Sequence, residues 1–123
     1  MYTLDTNAII YYLKGDKNAV PILESIFRED TPIFISAITE LELFSFSTLS
    51  SKEIQQIEQI LQTLAIIPID SRIARIAGAL RRKYHLKTAD SAVAATALFT
   101  GSTLTTRNII DFQKISNLPL LKI

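Results

Sequence analysis

The sequence predicts an α/β fold, with a mainly parallel sheet of four to five strands covered by helices on both faces. Three observations carry the prediction. Short apolar stretches that read as strands alternate with longer stretches of helical periodicity. The scarce turn-formers Gly15, Pro21, Pro32, Pro68, Gly101 and Pro119 fall at the joints between them. The chain has 123 residues and is 48% hydrophobic, enough for one domain, 1–123, with a real core and little beyond it.

Taken in order, Met1 to Asp5 is a strand, and helices follow over Asn7 to Leu13 and Ala19 to Phe27. Pro32 to Ile35 is a short buried strand, and Ser36 caps the helix after it, since its hydroxyl can accept an orphan backbone N–H. That helix carries Ile38, Leu41, Leu43, Phe44 and Phe46 on nearly every side, which predicts burial on most faces. Ser50-Ser51-Lys52-Glu53 fits a capping box, and Ile54, Ile57, Leu61 and Leu64 recur behind it at helical spacing. Ala65 to Ile69 is a strand ending in the good caps Asp70 and Ser71. Arg72 to Tyr84 is a helix with Ile73, Ile76, Ala77 and Leu80 as its apolar stripe. Thr88 opens an alanine-rich helix to Leu98 whose small residues allow close packing. Ser102 to Thr105 and Leu118 to Ile123 supply the last strands.

Composition excludes several function classes. There is no cysteine, hence no disulfide framework, thiolate zinc site or cysteine nucleophile. No apolar stretch is long enough to cross a bilayer, and Met1 to Asp5 carries no basic lead, so a cytoplasmic protein with no membrane partner is expected. A net charge of +1 means that any contact with nucleic acid must use local basic patches.

In parallel sheets ligands bind outside the carboxyl ends of the strands, and the acids of interest fall there. Asp5 ends the first strand; it is either a site acid or the N-cap of the next helix. Glu40 and Glu42 stand about 200° apart on a helix, so both cannot face one site. Glu42 also fits a capping box with Thr39, and Glu40 reads equally as a solvated charge. Asp90 lies in the first turn of the alanine-rich helix, where the dipole favours an acid, yet its neighbours Ala92 to Ala95 are small and apolar, as on an inward-facing end. Asp111 taken alone reads as a loop acid. His85, the one histidine, sits in a charged stretch and reads as a surface residue. An oxygen-only acidic cluster suits Mg²⁺ or Mn²⁺.

At these residues the chain resembles the PIN-domain family, and within it the VapC-type toxins of toxin–antitoxin pairs. Leu4-Asp5-Thr6-Asn7 is similar to the family's opening strand, and Ser36 to Leu43 to its second acidic motif, in which the acid stands three residues after the threonine; that alignment selects Glu42. Leu86 to Ala97 resembles the third motif, centred on Asp90. Leu104-Thr105-Thr106-Arg107-Asn108 with Asp111-Phe112 resembles the fourth. The resemblance implies a three-layer α/β/α PIN-like fold, a homodimer, an antitoxin partner and Mg²⁺- or Mn²⁺-dependent hydrolysis of RNA phosphodiesters. Asp5, Glu42 and Asp90 would hold the metal, with Thr6, Asn7 and Thr106 in support. Asn108 stands where the family often has aspartate. The expectation is that Asp111 supplies the missing charge while Asn108 orients a water.

Arg82 and Lys87, in the basic run Arg81 to Lys87, and Arg107 are candidate phosphate contacts; a solvated helix end explains the run equally well. Tyr11, Tyr12, Leu13, Phe44 and Phe46 read either as core or as a surface for a second copy or an antitoxin. A non-catalytic PIN-like binding module is the main alternative. A dehalogenase-type site wants a second aspartate where Asn7 stands, and a phosphoacceptor receiver wants paired acids and a late lysine that are not found.

Overall fold

The first strand, β1 (Tyr2–Leu4), is the middle of the sheet. Four more strands, β2 (Ile33–Ser36), β3 (Ala65–Ile67), β4 (Thr103–Thr106) and β5 (Leu120–Lys122), join it in the order β3-β2-β1-β4-β5, and every pairing is parallel. The computed structural model describes all of residues 1–123. The chain first builds outward on one side of β1, through β2 and β3, then crosses to the other side for β4 and β5. The switch point lies between β1 and β4, where a parallel sheet opens a crevice at its carboxyl edge.

Seven helices cover the sheet: α1 (Thr6–Leu13), α2 (Ala19–Arg28), α3 (Ala37–Leu43), α4 (Ser51–Leu61), α5 (Ser71–Tyr84), α6 (Thr88–Thr100) and α7 (Ile109–Phe112). Leu4 pairs with Thr105 and Thr3 with Leu104, so Leu4 and Leu104 point to opposite faces of the sheet. Around Leu4 the first core gathers Ile9, Leu23, Ile35 and Ile57 from α1, α2, β2 and α4. Around Leu104 the second gathers Val93, Ala94 and Ala97 of α6 with Phe112 of α7. Ser91 to Ala97 of α6 are all buried, because the helix lies between the sheet and α5, which packs on Ala95 through Ile73 and Ala77. Small side chains are what permit contact on both sides.

The predicted caps are present. Ser36 accepts from the Ile38 N–H, Ser50 and Glu53 form the reciprocal capping box, and Asp70 accepts from the Ile73 N–H. His85, exposed at φ 58°, ends α5 in the left-handed conformation, and Gly101 ends α6 the same way. Two expectations need correction. The strand at Ala65 stops at Ile67, because Pro68 has no N–H to give the ladder. The helix after β2 is not buried on most sides. It ends at Leu43, which leaves Phe44 and Phe46 in the following turn, and Leu41, Phe44 and Phe46 are exposed.

Candidate active site

Asp5 follows β1 directly and occupies the N-cap position of α1, but its side chain makes no capping hydrogen bond. Its carboxylate turns toward β4 and accepts the Thr106 hydroxyl at 2.7 Å. The Thr106 oxygen in turn accepts the Asn108 N–H at 3.0 Å, so the end of β4 orients the acid at the end of β1. Asp5 is 6% exposed. Burial raises its pKa above the usual carboxylate range; the Thr106 hydroxyl and the nearby main-chain N–H groups of Asn7 and Thr6 oppose the rise, and the Glu42 charge adds to it.

The capping-box reading of Glu42 fails, because α3 starts at Ala37 with Ser36 as its cap and Thr39 lies inside the helix. The Glu42 carboxylate instead accepts the Thr6 hydroxyl at 2.7 Å, and that hydroxyl lies 3.0 Å from the Thr39 hydroxyl. Glu42 is thereby brought beside the residue that follows Asp5, while the Glu40 side chain makes no hydrogen bond. Both glutamates are half-buried, and Glu42 alone of the two has a side-chain hydrogen-bond partner.

Asp90 enters from the first turn of α6. Burial raises its pKa most, then the charges of Asp5 and Asp111, with Glu42 adding a smaller push and Lys87 opposing. Four acids from β1, α3, α6 and α7 therefore share one electrostatic neighbourhood. Asp111 is the most self-contained of them. Asn108 caps α7 and donates its side-chain N–H to the Asp111 carboxylate at 3.0 Å, and Lys114 approaches the other oxygen to 3.8 Å.

The donor set is all oxygen, and neighbouring negative charges help to raise the Asp5 and Asp90 pKa values, with no cation in an ion pair with either carboxylate; such a surplus of negative charge fits a hard divalent ion. No three of the acids stand close enough to share a single ion as they are placed. Mg²⁺ commonly takes only one or two carboxylates and keeps several waters, so the arrangement remains compatible with it.

The three basic candidates differ in position. Arg82 and Lys87 are exposed, and Lys87 is near enough to lower the pKa of Asp90. Arg107 is already engaged: it forms an ion pair with Asp16 at 2.8 Å, donates to the Ile123 main-chain oxygen at 3.0 Å and lies 4.0 Å over the Tyr11 ring. Asp5, Asn7, Tyr11, Arg107 and Asn108 line one cleft of about 200 Å³. Asp16 was not legible as part of this arrangement, since its partner is 91 residues away and nothing local announces it. Of the surplus aromatic and apolar residues, Tyr12 packs edge-on against Phe27, whereas Leu13 and Phe46 line an apolar groove with Ile10, Leu43, Leu49 and Ile57.

Comparison with known proteins bears on the family and the fold. The family model described as PIN domain matches residues 2–118. No curated protein matches the sequence. Among solved structures, the fold is similar to a chain of VapBC2 from Rickettsia felis bound to a DNA fragment from their promoter, with TM-score 0.84 and 27% identity over 99% of this chain and 98% of that chain. It is similar to a chain of a toxin–antitoxin complex from Klebsiella pneumoniae, with TM-score 0.83 and 31% identity over all of both chains. A chain of FitAcB from Neisseria gonorrhoeae gives TM-score 0.78 and 29% identity over 99% of this chain and 97% of that chain. With its five-stranded parallel sheet, its acids at the carboxyl edge and a family match over nearly its whole length, the chain belongs to the PIN domain family.

Proposed function

We propose that this chain, as a single domain, is a cytoplasmic metal-dependent endoribonuclease and the toxin of a toxin–antitoxin pair. The observation that supports the reading is that Asp5, Glu42 and Asp90, from three separate elements, lie within electrostatic reach of one another by the switch point of the sheet, with Asp111 within reach of Asp90. Asp5, Glu42 and Asp90 would hold Mg²⁺ or Mn²⁺, directly or through water. Such an ion, when bound, offsets charge on the phosphodiester and acidifies a water nucleophile. The chain's own part is positional. Thr106 and Thr6 hold the Asp5 and Glu42 carboxylates in place, Asn7 and Asn108 offer amides at the cleft, and Arg82 and Lys87 attract the RNA backbone.

The likeness to toxin–antitoxin complexes supports a protein partner for this chain as well. The apolar groove between α1 and α4 is where a partner's amphipathic segment would lie, and the exposed Leu41 and Phe44 are candidates for contact with a second copy. The test is expression in the native host with any antitoxin deleted, followed by mapping of RNA 5′ ends. Growth arrest with new, discrete 5′ ends, both abolished by Asp5→Asn at equal protein level, is the expected result. Harmless expression of folded wild-type chain with an unchanged 5′-end profile contradicts the reading.

A further inference from the structure

Arg107 is poorly suited to be a phosphate hook. Its charge is already met by Asp16 at 2.8 Å, and its Nε is held by the Ile123 main-chain oxygen. One face of the guanidinium rests on Tyr11, with the carbon at its centre 4.0 Å from the ring centroid. Nη1 makes no hydrogen bond, and the side chain is 33% exposed and lines the same cleft as Asp5, Asn7 and Asn108. Unpaired bases of single-stranded RNA stack on such guanidinium planes, and a plane pinned in advance loses little freedom on doing so.

From this we propose that Arg107, stacked on Tyr11 and pinned by Asp16, is a shelf for one unpaired nucleobase beside the scissile phosphate. The inference rests on the ribonuclease reading above and adds a substrate feature: the RNA must be single-stranded at the cut, with a base splayed into the cleft. Asp16 acts as a positioning residue. Its carboxylate also accepts the Asn18 and Ala19 N–H groups, which fixes the α1–α2 turn against the end of β4.

The experiment uses a single-stranded RNA oligonucleotide that the wild-type chain cleaves, bound to the Asp90→Asn chain, with an abasic residue moved through it one position at a time. One position next to the cut should lose about tenfold in affinity, the scale of a single base stack. Introducing Arg107→Lys should remove that sensitivity while leaving the salt dependence of binding unchanged. The abasic series on the chain with Arg107 intact needs no fold-sensitive variant, and the absence of any sensitive position near the cut overturns the shelf. So does a fall of about one in the salt slope for Arg107→Ala with the base effect untouched, which marks a phosphate contact instead. In either case the wild-type chain still cleaves the RNA, so the ribonuclease reading stands. A wild-type chain that neither binds nor cuts RNA removes both.

Discussion

The two ends of the acidic site are built differently. At one end, Asp5 and Glu42 are held by hydroxyls from elsewhere in the chain: Thr106 is 101 residues from Asp5, and Thr6 is 36 from Glu42. At the other, Asn108 and Asp111 satisfy each other across three residues, with Lys114 adding partial charge compensation. An acid positioned by remote strands is placed by the whole fold and kept short of cations, which is costly unless something binds there. An acid bonded to the cap residue of its own helix turn serves local structure as well. The chemistry should therefore depend most on the first end and least on the second.

The largest effect expected is at Asp5. Asp5→Asn should reduce cleavage at least about a hundredfold, the scale on which a misplaced catalytic group is felt, with the far-ultraviolet circular dichroism unchanged. Glu42→Gln should come close to this, while Glu40→Gln stays near wild type in the same assay. Equal losses for the two glutamates would erase the contrast between the faces of α3.

Thr106→Val should have an intermediate effect with a recognisable signature. The Thr106 hydroxyl opposes the burial-driven rise in the Asp5 pKa, so its loss should raise that pKa further and move the acidic limb of the pH–rate profile to higher pH. An unshifted limb would mean the hydroxyl does not set the charge of Asp5.

Stability should run the opposite way to activity. In the metal-free folded chain the Asp5 and Asp90 pKa values lie above their ordinary values. The folded state then holds protons that the unfolded state has released. Their contribution to stability is full below the ordinary carboxylate range and is lost as pH rises through the raised values. Asp90→Asn should raise the Tm at neutral pH in the absence of divalent ions, and added Mg²⁺ should stabilise the wild-type chain more than the variant. Asp16 has the reverse sign: Arg107 and the Ala19 N–H hold its pKa at about 2, so its contribution is present above the ordinary range and fades as pH falls toward that value.

The smallest effect is expected at Asp111. Asp111→Asn should raise the Mg²⁺ concentration for half-maximal rate only a few-fold, roughly what a partly exposed, partly paired charge is worth. Asn108→Ala should lower the rate with less change in that concentration. A collapse of activity in Asp111→Asn would place the two ends of the site on an equal footing.

Much of this was legible in the sequence, for physical reasons that differ by element. Ser36, Ser50 and Asp70 announce their helices because capping is local chemistry. The parallel sheet follows from apolar strands alternating with helices, and the inward end of α6 follows from Ala92 to Ala95. The extent of α3 was not legible, since Phe44 and Phe46 continue its apolar pattern although the helix has ended. Residues alone did not separate Glu42 from Glu40; the resemblance to the family motif selected Glu42, and the hydrogen bond from Thr6 is a contact that Glu40 lacks. The Tyr11–Arg107–Asp16 arrangement stayed hidden because it joins residues far apart in the chain, and Arg107 read by itself looked like a free cation.

The most direct test of the account is cleavage of a single-stranded RNA by purified chain across a Mg²⁺ titration, with an Asp5→Asn preparation run in parallel to reveal contaminating nuclease. Discrete cuts should appear with Mg²⁺ or Mn²⁺, stop on addition of EDTA, return when the ion is restored, and be missing from the Asp5→Asn preparation. Cleavage by the wild-type chain at full rate in excess EDTA, with the Asp5→Asn preparation silent, would contradict the account.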